Sequence, residues 1–248
     1  MRRLRPFFSY HGAKALAAPW YPAPQHERLI EPFAGSACYA LRYPDRRVVL
    51  IEKYPVLAAV WRYLIAVRER EILALPDVED ETSVAALPVC QEARWLIGFN
   101  LRKAQARPGL TPSAWMRAHR WRGFWGPHQR ERIARQLCAI RHWTLIEGDY
   151  TRAPGGPATW FVDPPYQHKG QNYACGNKQI DYPALGLWCR SREGQVIVCE
   201  AAGADWLPFQ ELRPVRSAAS RGKVGRSCEM VWTNAGGVQE HFAFGEMA

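Results

Sequence analysis

No C-x-x-C pair occurs in this chain, and none of its seven cysteines (Cys38, Cys90, Cys138, Cys175, Cys189, Cys199 and Cys228) has a histidine at zinc-ligand spacing. An odd, scattered set of this kind argues against a disulfide framework and a structural metal. It reads as reduced, buried thiols in a cytoplasmic protein. No G-x-G-x-x-G is present, and no P-loop lysine follows a glycine-rich turn, so a cofactor held by its phosphates is poorly supported. No apolar run approaches membrane-spanning length. The start, MRRLRPFFSYHGAK, is basic but lacks the sustained apolar segment of a signal peptide. Internal repeats and low-complexity tracts are missing as well, and no obligate protein partner is evident.

Acids are scarce relative to bases. Asp and Glu number 23 against 33 Lys and Arg, a formal charge of +10 with a pI near 9.5. Such a balance is unusual for a metabolic enzyme and points to a polyanionic partner, with nucleic acid ahead of a membrane surface. Length and a hydrophobic content of 48% fit one soluble globular domain, or one domain carrying a smaller insertion.

The periodicity then gives an α/β chain. In "ERLIEPFAGSACYALRY" a short strand over Leu29 and Ile30 is followed by a turn from Pro32 to Gly35 and a predicted helix opening near Ser36. "RRVVLIEKYPVLAAVWRYLIAVRER" repeats the plan, with a strand from Val48 to Ile51 and a helix whose stripe is Val56, Leu57, Val60, Trp61, Leu64 and Ile65. Strands alternating with helices imply parallel pairing through crossovers. The pattern resumes in "HWTLIEGDY", "ATWFVDPPY", a helical "YPALGLWCRSRE" and a strand "QVIVCEA". "EMVWTN" and "VQEHFAFG" read as late strands that finish the sheet, in antiparallel orientation.

From residue 69 to 142 the texture changes to short helical pieces rich in Arg and Trp. Over Glu92 to Trp143, eleven basic residues from Arg94 to Arg141 face little acid beyond Glu92 and Glu131. Arginine grips phosphate or guanine in a bidentate manner and tryptophan stacks on bases, so the segment suits a nucleic-acid-contacting insertion. Residues 1–68 and 143–248 would then form the main domain. Arg117, Arg120, Arg122 and Arg130 are the contact candidates here. Lys169, in the polar loop after "DPPY", and Arg221 and Lys223, in the small basic loop "SAASRGKVGRSC", join them.

Three acids sit where parallel strands end. Glu31 and Glu52 suit a cationic ligand or one with hydroxyls, as an acid at this place can take both hydroxyls of a ribose. Asp149, after the next strand and beside Tyr150, could accept from an exocyclic amine. The fourth, Asp163, opens "DPPY". Each of Pro164 and Pro165 fixes its φ, biases the preceding residue away from helix and brings the strand to a stop in a stiff turn. An amine such as adenine N6 is a poor nucleophile, because its lone pair is delocalised into the ring. Two acceptors on its hydrogens, the Asp163 carboxylate and the Pro164 carbonyl, favour a pyramidal nitrogen and stabilise the positive charge that grows during attack. Tyr166 can lie against the face of the base.

Taken in order, "SYHGAK" (Ser9 to Lys14), "EPFAGSA" (Glu31 to Ala37), "LIEK" (Leu50 to Lys53), "GDY" (Gly148 to Tyr150) and "DPPY" (Asp163 to Tyr166) resemble the Dam-type (D12 class) DNA adenine N6 methyltransferases, particularly the compact phage and prophage kind. Ala13 and Ala37 depart from that pattern, standing where many members have glycine. The resemblance implies a Rossmann-like S-adenosylmethionine-dependent sheet with residues 69–142 as a small helical target-recognition module. It implies that Tyr10, Lys14, the turn Glu31, Pro32, Phe33, Ala34, Gly35 and Ser36, the pair Glu52 and Lys53, and Asp149 with Tyr150 hold S-adenosylmethionine. Asp163, Pro164, Pro165 and Tyr166 would meet the target amine of a flipped adenine in double-stranded DNA, without a metal. Cytosine N4, an RNA base, and a DNA-binding relative that has lost catalysis stay open as alternatives.

Overall fold

A computed structural model of the chain describes residues 3–79, 82–119, 124–216 and 226–235. The fold is α/β, built on a mixed, mostly parallel sheet of seven strands in the order β3-β2-β1-β4-β5-β7-β6. Strands β1 (Arg28–Glu31), β2 (Arg47–Glu52), β3 (Thr144–Glu147), β4 (Ala158–Val162) and β5 (Gly194–Ala201) run parallel. Strands β6 (Gln210–Arg216) and β7 (Arg226–Thr233) close one side, β7 antiparallel to both β5 and β6. The order reverses direction between β1 and β4, the switch point at which open α/β sheets form a crevice beyond their strand ends.

Successive residues of a strand face opposite sides, and the parallel strands here are apolar on both. Leu29, Leu50, Phe161 and Ile197 enter one apolar cluster. Ile30, Ile51, Trp160 and Val198, their neighbours in sequence, enter the other. Helix α1 (Pro55–Ala66) covers the first face through the expected stripe, with Leu57, Val60, Trp61 and Leu64 fully buried. Helix α6 (Tyr182–Arg190) covers the second face with Leu185 and Cys189.

Residues 69–142 form short helices, as their texture suggests: α2 (Glu69–Leu73), α3 (Gln91–Phe99), α4 (Ala114–His119) and α5 (Pro127–Ala134). Ala93, Leu96, Ile97 and Phe99 of α3 and Ile133 of α5 join the same apolar cluster as Trp61 and Phe8. Several basic residues of this segment serve the fold. Arg141 donates to the Ile65 and Val67 carbonyls at the end of α1, Arg94 donates to the Leu87 carbonyl, and Arg130 pairs with Asp77.

Three expectations need correction. Of the cysteines read as buried, Cys90 and Cys138 are exposed. No α-helix opens near Ser36. Gly35 and Ala37 both take left-handed backbone, with φ of 49° and 50°, which breaks a helical path. Turns therefore carry the chain to a single 3-10 turn at Ala40–Arg42. Strand β6 was not foreseen, because Pro214 lies inside it; as the outermost strand it tolerates a residue with no N–H to donate. The expected strand "VQEHFAFG" lies outside the described residues.

Trp61 links this framework to the loops above it: its ring is fully buried and its Nε1–H donates to the Gly35 carbonyl at 2.8 Å. Trp61→Phe should lower unfolding stability by about 2 kcal/mol, combining a lost buried hydrogen bond with a partly filled cavity. The urea midpoint should fall with an unchanged slope.

Candidate active site

Because β1 to β4 run the same way, the acids that end or follow them all arrive at one edge. Glu31 ends β1, Glu52 ends β2 in register with Glu147, Asp149 follows β3 and Asp163 follows β4. A cleft runs along this edge, with about 590 Å³ of space free of protein atoms counted out to its open mouth, within the range of small-molecule sites. Tyr10, Pro32, Phe33, Gly35, Glu52, Lys53, Asp149, Asp163 and Pro165 line it. An adjoining recess shares Tyr10, Phe33, Gly35 and Asp163, and adds Lys14, Glu31, Ala34 and Ser36.

Each buried acid has its own solution. Glu31 accepts from the Ala40 N–H at 2.6 Å, yet burial keeps its carboxyl well above the ordinary range. Glu52 accepts from the Gly35 N–H at 3.0 Å and the Tyr54 N–H at 2.9 Å, and so fastens the turn after β1 to the end of β2. Burial nevertheless pushes its carboxyl up to about 7. Asp149 is half-buried and is held below the usual range by the Thr151 hydroxyl, which donates to it at 2.5 Å. Phe33 stacks on Tyr150, with ring centres 5.6 Å apart; Tyr150 itself lies behind the cleft, edge-on to Trp188.

The turn after β4 is the most constrained part. Asp163 Oδ1 lies 2.7 Å from Lys14 Nζ, both side chains largely buried. The contact acts as an ion pair, since Oδ1 has no well-aligned hydrogen bond. Burial pushes the Asp163 carboxyl up to about 6, against the pull of Lys14 and with the push of Glu229 and Glu200. Burial alone would lower the Lys14 ammonium, but Asp163, Tyr166 and Glu229 outweigh it and hold it above its ordinary range. At neutral pH the pair is charged on both sides. Lys14 Nζ also sits 4.7 Å from the centre of the Tyr166 ring, a cation–π contact. Pro164 is buried, and among the described residues no donor reaches its carbonyl, whereas the Pro165 carbonyl accepts from the Tyr182 hydroxyl at 2.5 Å.

Three residues here were not singled out from the sequence. Glu229 of β7 accepts from the hydroxyls of both Tyr21 (2.8 Å) and Tyr166, and lies 3.7 Å from Lys14. It reaches this edge because an antiparallel strand begins where its parallel neighbour ends, with Ala201 opposite Glu229. Glu200, fully buried near the end of β5, accepts from the Gln167 N–H and the Trp206 ring N–H, and so anchors the chain just after Tyr166. An acid ending "QVIVCEA" was the available signal for it, the same one that Glu31 and Glu52 gave. Tyr173 lines both parts of the cleft, packs against Tyr10 and closes so tightly over Gly12 that a Cβ there would stand 1.7 Å from its hydroxyl.

The helical segment reaches the site through Phe99 of α3, edge-on to Tyr10 with ring centres 5.9 Å apart, and through the loop after it. The Ala104 N–H donates to the Ser9 hydroxyl at 2.8 Å, and the His11 N–H donates to the Gln105 carbonyl at 3.2 Å. Lys169 is exposed directly after the Asp-Pro-Pro-Tyr turn, and Arg117 is exposed on α4. Arg130 is tied to Asp77. Arg120, Arg122, Arg221 and Lys223 lie outside the described residues. Among the described residues no group of three His, Cys, Asp or Glu side chains is arranged to hold a metal ion. No protein-family model matches the chain, and no curated protein matches it.

The site therefore combines a cleft that carries Glu52 and Asp149 with a rigid turn that offers a carboxylate and a carbonyl with no donor among the described residues, inside a chain of strong positive charge. Two substitutions should move Asp163 in opposite directions. Lys14→Met removes the pull on the carboxylate and raises its midpoint above 6, whereas Glu229→Gln removes a repulsion and lowers it. Carboxyl ¹³C titration of Asp163 reads both shifts; a midpoint unmoved by Lys14→Met would dissolve the assigned ion pair.

Proposed function

We propose that the protein is a DNA methyltransferase that moves the methyl group of S-adenosylmethionine onto N6 of an adenine turned out of duplex DNA. The observation that carries this reading is the turn at Asp163 and Pro164, a carboxylate that lines one cleft with Glu52 and Asp149, beside a carbonyl that no donor among the described residues reaches. The quoted resemblance supports the same reading, as does the place of the cleft, at the switch point of the parallel sheet.

The donor set fits S-adenosylmethionine. Glu52 has lone pairs left for the two ribose hydroxyls after accepting two backbone N–H groups. Asp149 is ionised and half-buried where an adenine amine can donate to it. The adjoining recess, lined by Glu31 and the Lys14–Asp163 pair, offers polar partners of both signs to the amino and carboxylate groups of the cofactor. When bound, this cofactor supplies an already activated methyl group, so the protein contributes alignment and charge stabilisation.

The target amine would donate one hydrogen to Asp163 and the other to the Pro164 carbonyl. Both acceptors grow stronger in effect as the nitrogen becomes cationic, which favours the transition state over the ground state. Lys14 keeps Asp163 ionised and fixes one of its oxygens. Its positive charge would oppose a cationic transition state, and Glu229 at 3.7 Å offsets it. Tyr166, held through its hydroxyl, presents its ring to the base. The proton leaves the methylated nitrogen afterwards to water. The net charge, exposed Arg117 and Lys169 support duplex DNA as the partner.

Incubation with methyl-labelled S-adenosylmethionine and unmethylated genomic DNA, followed by nucleoside mass spectrometry, should give labelled N6-methyladenine. Asp163→Ala should cut the rate at least about a hundredfold and leave cofactor affinity within a few fold. Label on N4-methylcytosine would overturn the base assignment; cofactor binding without label on DNA or RNA would favour a catalytically silent DNA-binding protein.

Glu52 gives the cofactor step its pH dependence. Its carboxyl sits near 7 in the free protein, and two ribose hydroxyls donate more strongly to the ionised form, in which both oxygens accept. Affinity for S-adenosylmethionine should therefore weaken as pH falls below about 7, with about one proton released on binding at pH 6.5. Calorimetry in buffers of different ionisation enthalpy measures that proton, and Glu52→Gln should abolish its release.

A further inference from the structure

We propose that a second site, the cleft between residues 3–5 and helix α5, binds phosphate groups. Arg3, Arg5, Arg132 and Arg135 line this cleft with His128, and among the described residues the only acid on its walls is Glu131. It comprises about 1000 Å³ of atom-free space out to its open mouth and shares no lining residue with the acid-lined cleft. The two therefore accept opposite ligand chemistry.

Like charges do not gather without compensation. Arg135 has Glu131 at 3.3 Å, but among the described residues no acid pairs with Arg3, Arg5 or Arg132. Arg132 is partly buried, and its Nη1 is covered without a hydrogen-bond partner. Burial, then the neighbouring Arg5, push its guanidinium down to about 10. An ionised group left in this state is unfavourable, and an anion is the natural relief.

The backbone that carries Arg5 and the side chain of Arg132 are held in place. The Arg5 N–H donates to Gln136 Oε1 at 2.7 Å, and Gln136 Nε2 returns a hydrogen bond to the Arg5 carbonyl. Leu4 is buried and its N–H donates to the Leu41 carbonyl. Arg132 Nε donates to Gln129 Oε1, and Gln129 in turn donates to Asn100. Guanidinium forks of this number around one cleft match a multivalent oxyanion with several acceptor oxygens rather than a single carboxylate. Phosphate could come from a nucleic-acid backbone or a soluble polyphosphate. Arg5 lies five residues from Tyr10, so the cleft is within about 18 Å of the candidate active site along the chain, close enough for one duplex to reach both. The proposal does not rest on the methyltransferase reading.

The test uses the full chain, a fluorescent 20-base-pair duplex and inorganic tripolyphosphate. The variant is Arg5→Gln with Arg135→Gln, both exposed positions whose backbone contacts the change preserves. Arg46→Gln with Arg47→Gln removes the same charge elsewhere, and circular dichroism checks that all proteins are folded. If the duplex is the source, the cleft variant should bind it about tenfold more weakly at 0.1 M salt, with the salt slope reduced by about 2 while the control keeps its slope. If only tripolyphosphate binding is lost, the phosphate site stands and its ligand is a soluble polyphosphate. Unchanged binding of both probes, or an equal loss in the control, would overturn the proposal.

Discussion

The loops of this protein are arranged around the problem of keeping buried carboxylates charged or satisfied. Parallel strands deliver their last residues to one edge, and here those residues are acids: Glu31, Glu52 and Glu200, with Asp163 just beyond β4 and Glu229 entering from the antiparallel side. Burial pushes the carboxyls of Glu31, Glu52, Glu200 and Asp163 up, and donors brought to the spot work against it. Backbone N–H groups of Gly35, Ala40 and Tyr54 are drawn in to Glu31 and Glu52. Two tyrosine hydroxyls go to Glu229, and Lys14 goes to Asp163. The turn after β1, the N-terminal segment and β7 are therefore held together by a shared electrostatic requirement.

This has a mechanical consequence for the turn at Asp163. Its ends are fixed by β4 and by Glu200, which holds the Gln167 N–H. Pro164 and Pro165 restrict what lies between, and the Pro165 carbonyl is occupied by Tyr182. With the Tyr166 hydroxyl committed to Glu229 and Lys14 over its ring, the remaining freedom belongs to one carboxylate oxygen and one carbonyl. In the proposed reaction, those are the two acceptors the amine would use, so little reorganisation would accompany its approach.

Much of this edge is legible in the sequence, for a physical reason. An acid after an apolar run is an anomaly in a buried strand, and the anomaly marks the residues that the sheet then assembles. Asp163, Glu52 and Asp149 were found that way, and the structure lines one cleft with them. What was hidden are partnerships across the chain. Glu229 meets Tyr21 over a separation of 208 residues, and nothing local in "CEMVWT" reveals that pairing. Lys14 was expected among cofactor contacts, and its partner, Asp163, follows from the packing of the N-terminal segment against β4. The helix expected near Ser36 failed because a left-handed Ala37 is set by the demands of the turn, which outweigh alanine's helix propensity. The arginine-rich stretch showed a different limit: composition gives the sign of its field, but Arg94, Arg130 and Arg141 hold the fold together and only geometry separates them from exposed Arg117.

The opposed fields of the molecule bear on how a base would reach the cleft. A protein of charge +10 attracts a polyanion from a distance, but the cleft itself carries the carboxylates of Glu52, Asp149 and Asp163. Phosphates entering it would be repelled over the few ångströms where screening is weak. An uncharged base with hydrogens to donate would be accepted there. In the proposed function, the basic surroundings would hold the backbone outside while the acidic cleft receives only the base. The charge pattern alone would then favour an extruded nucleotide over any pose that brings the duplex backbone inward. Discrimination between base and backbone would thus precede any reading of base identity, and the same acids that favour a cationic cofactor would supply it.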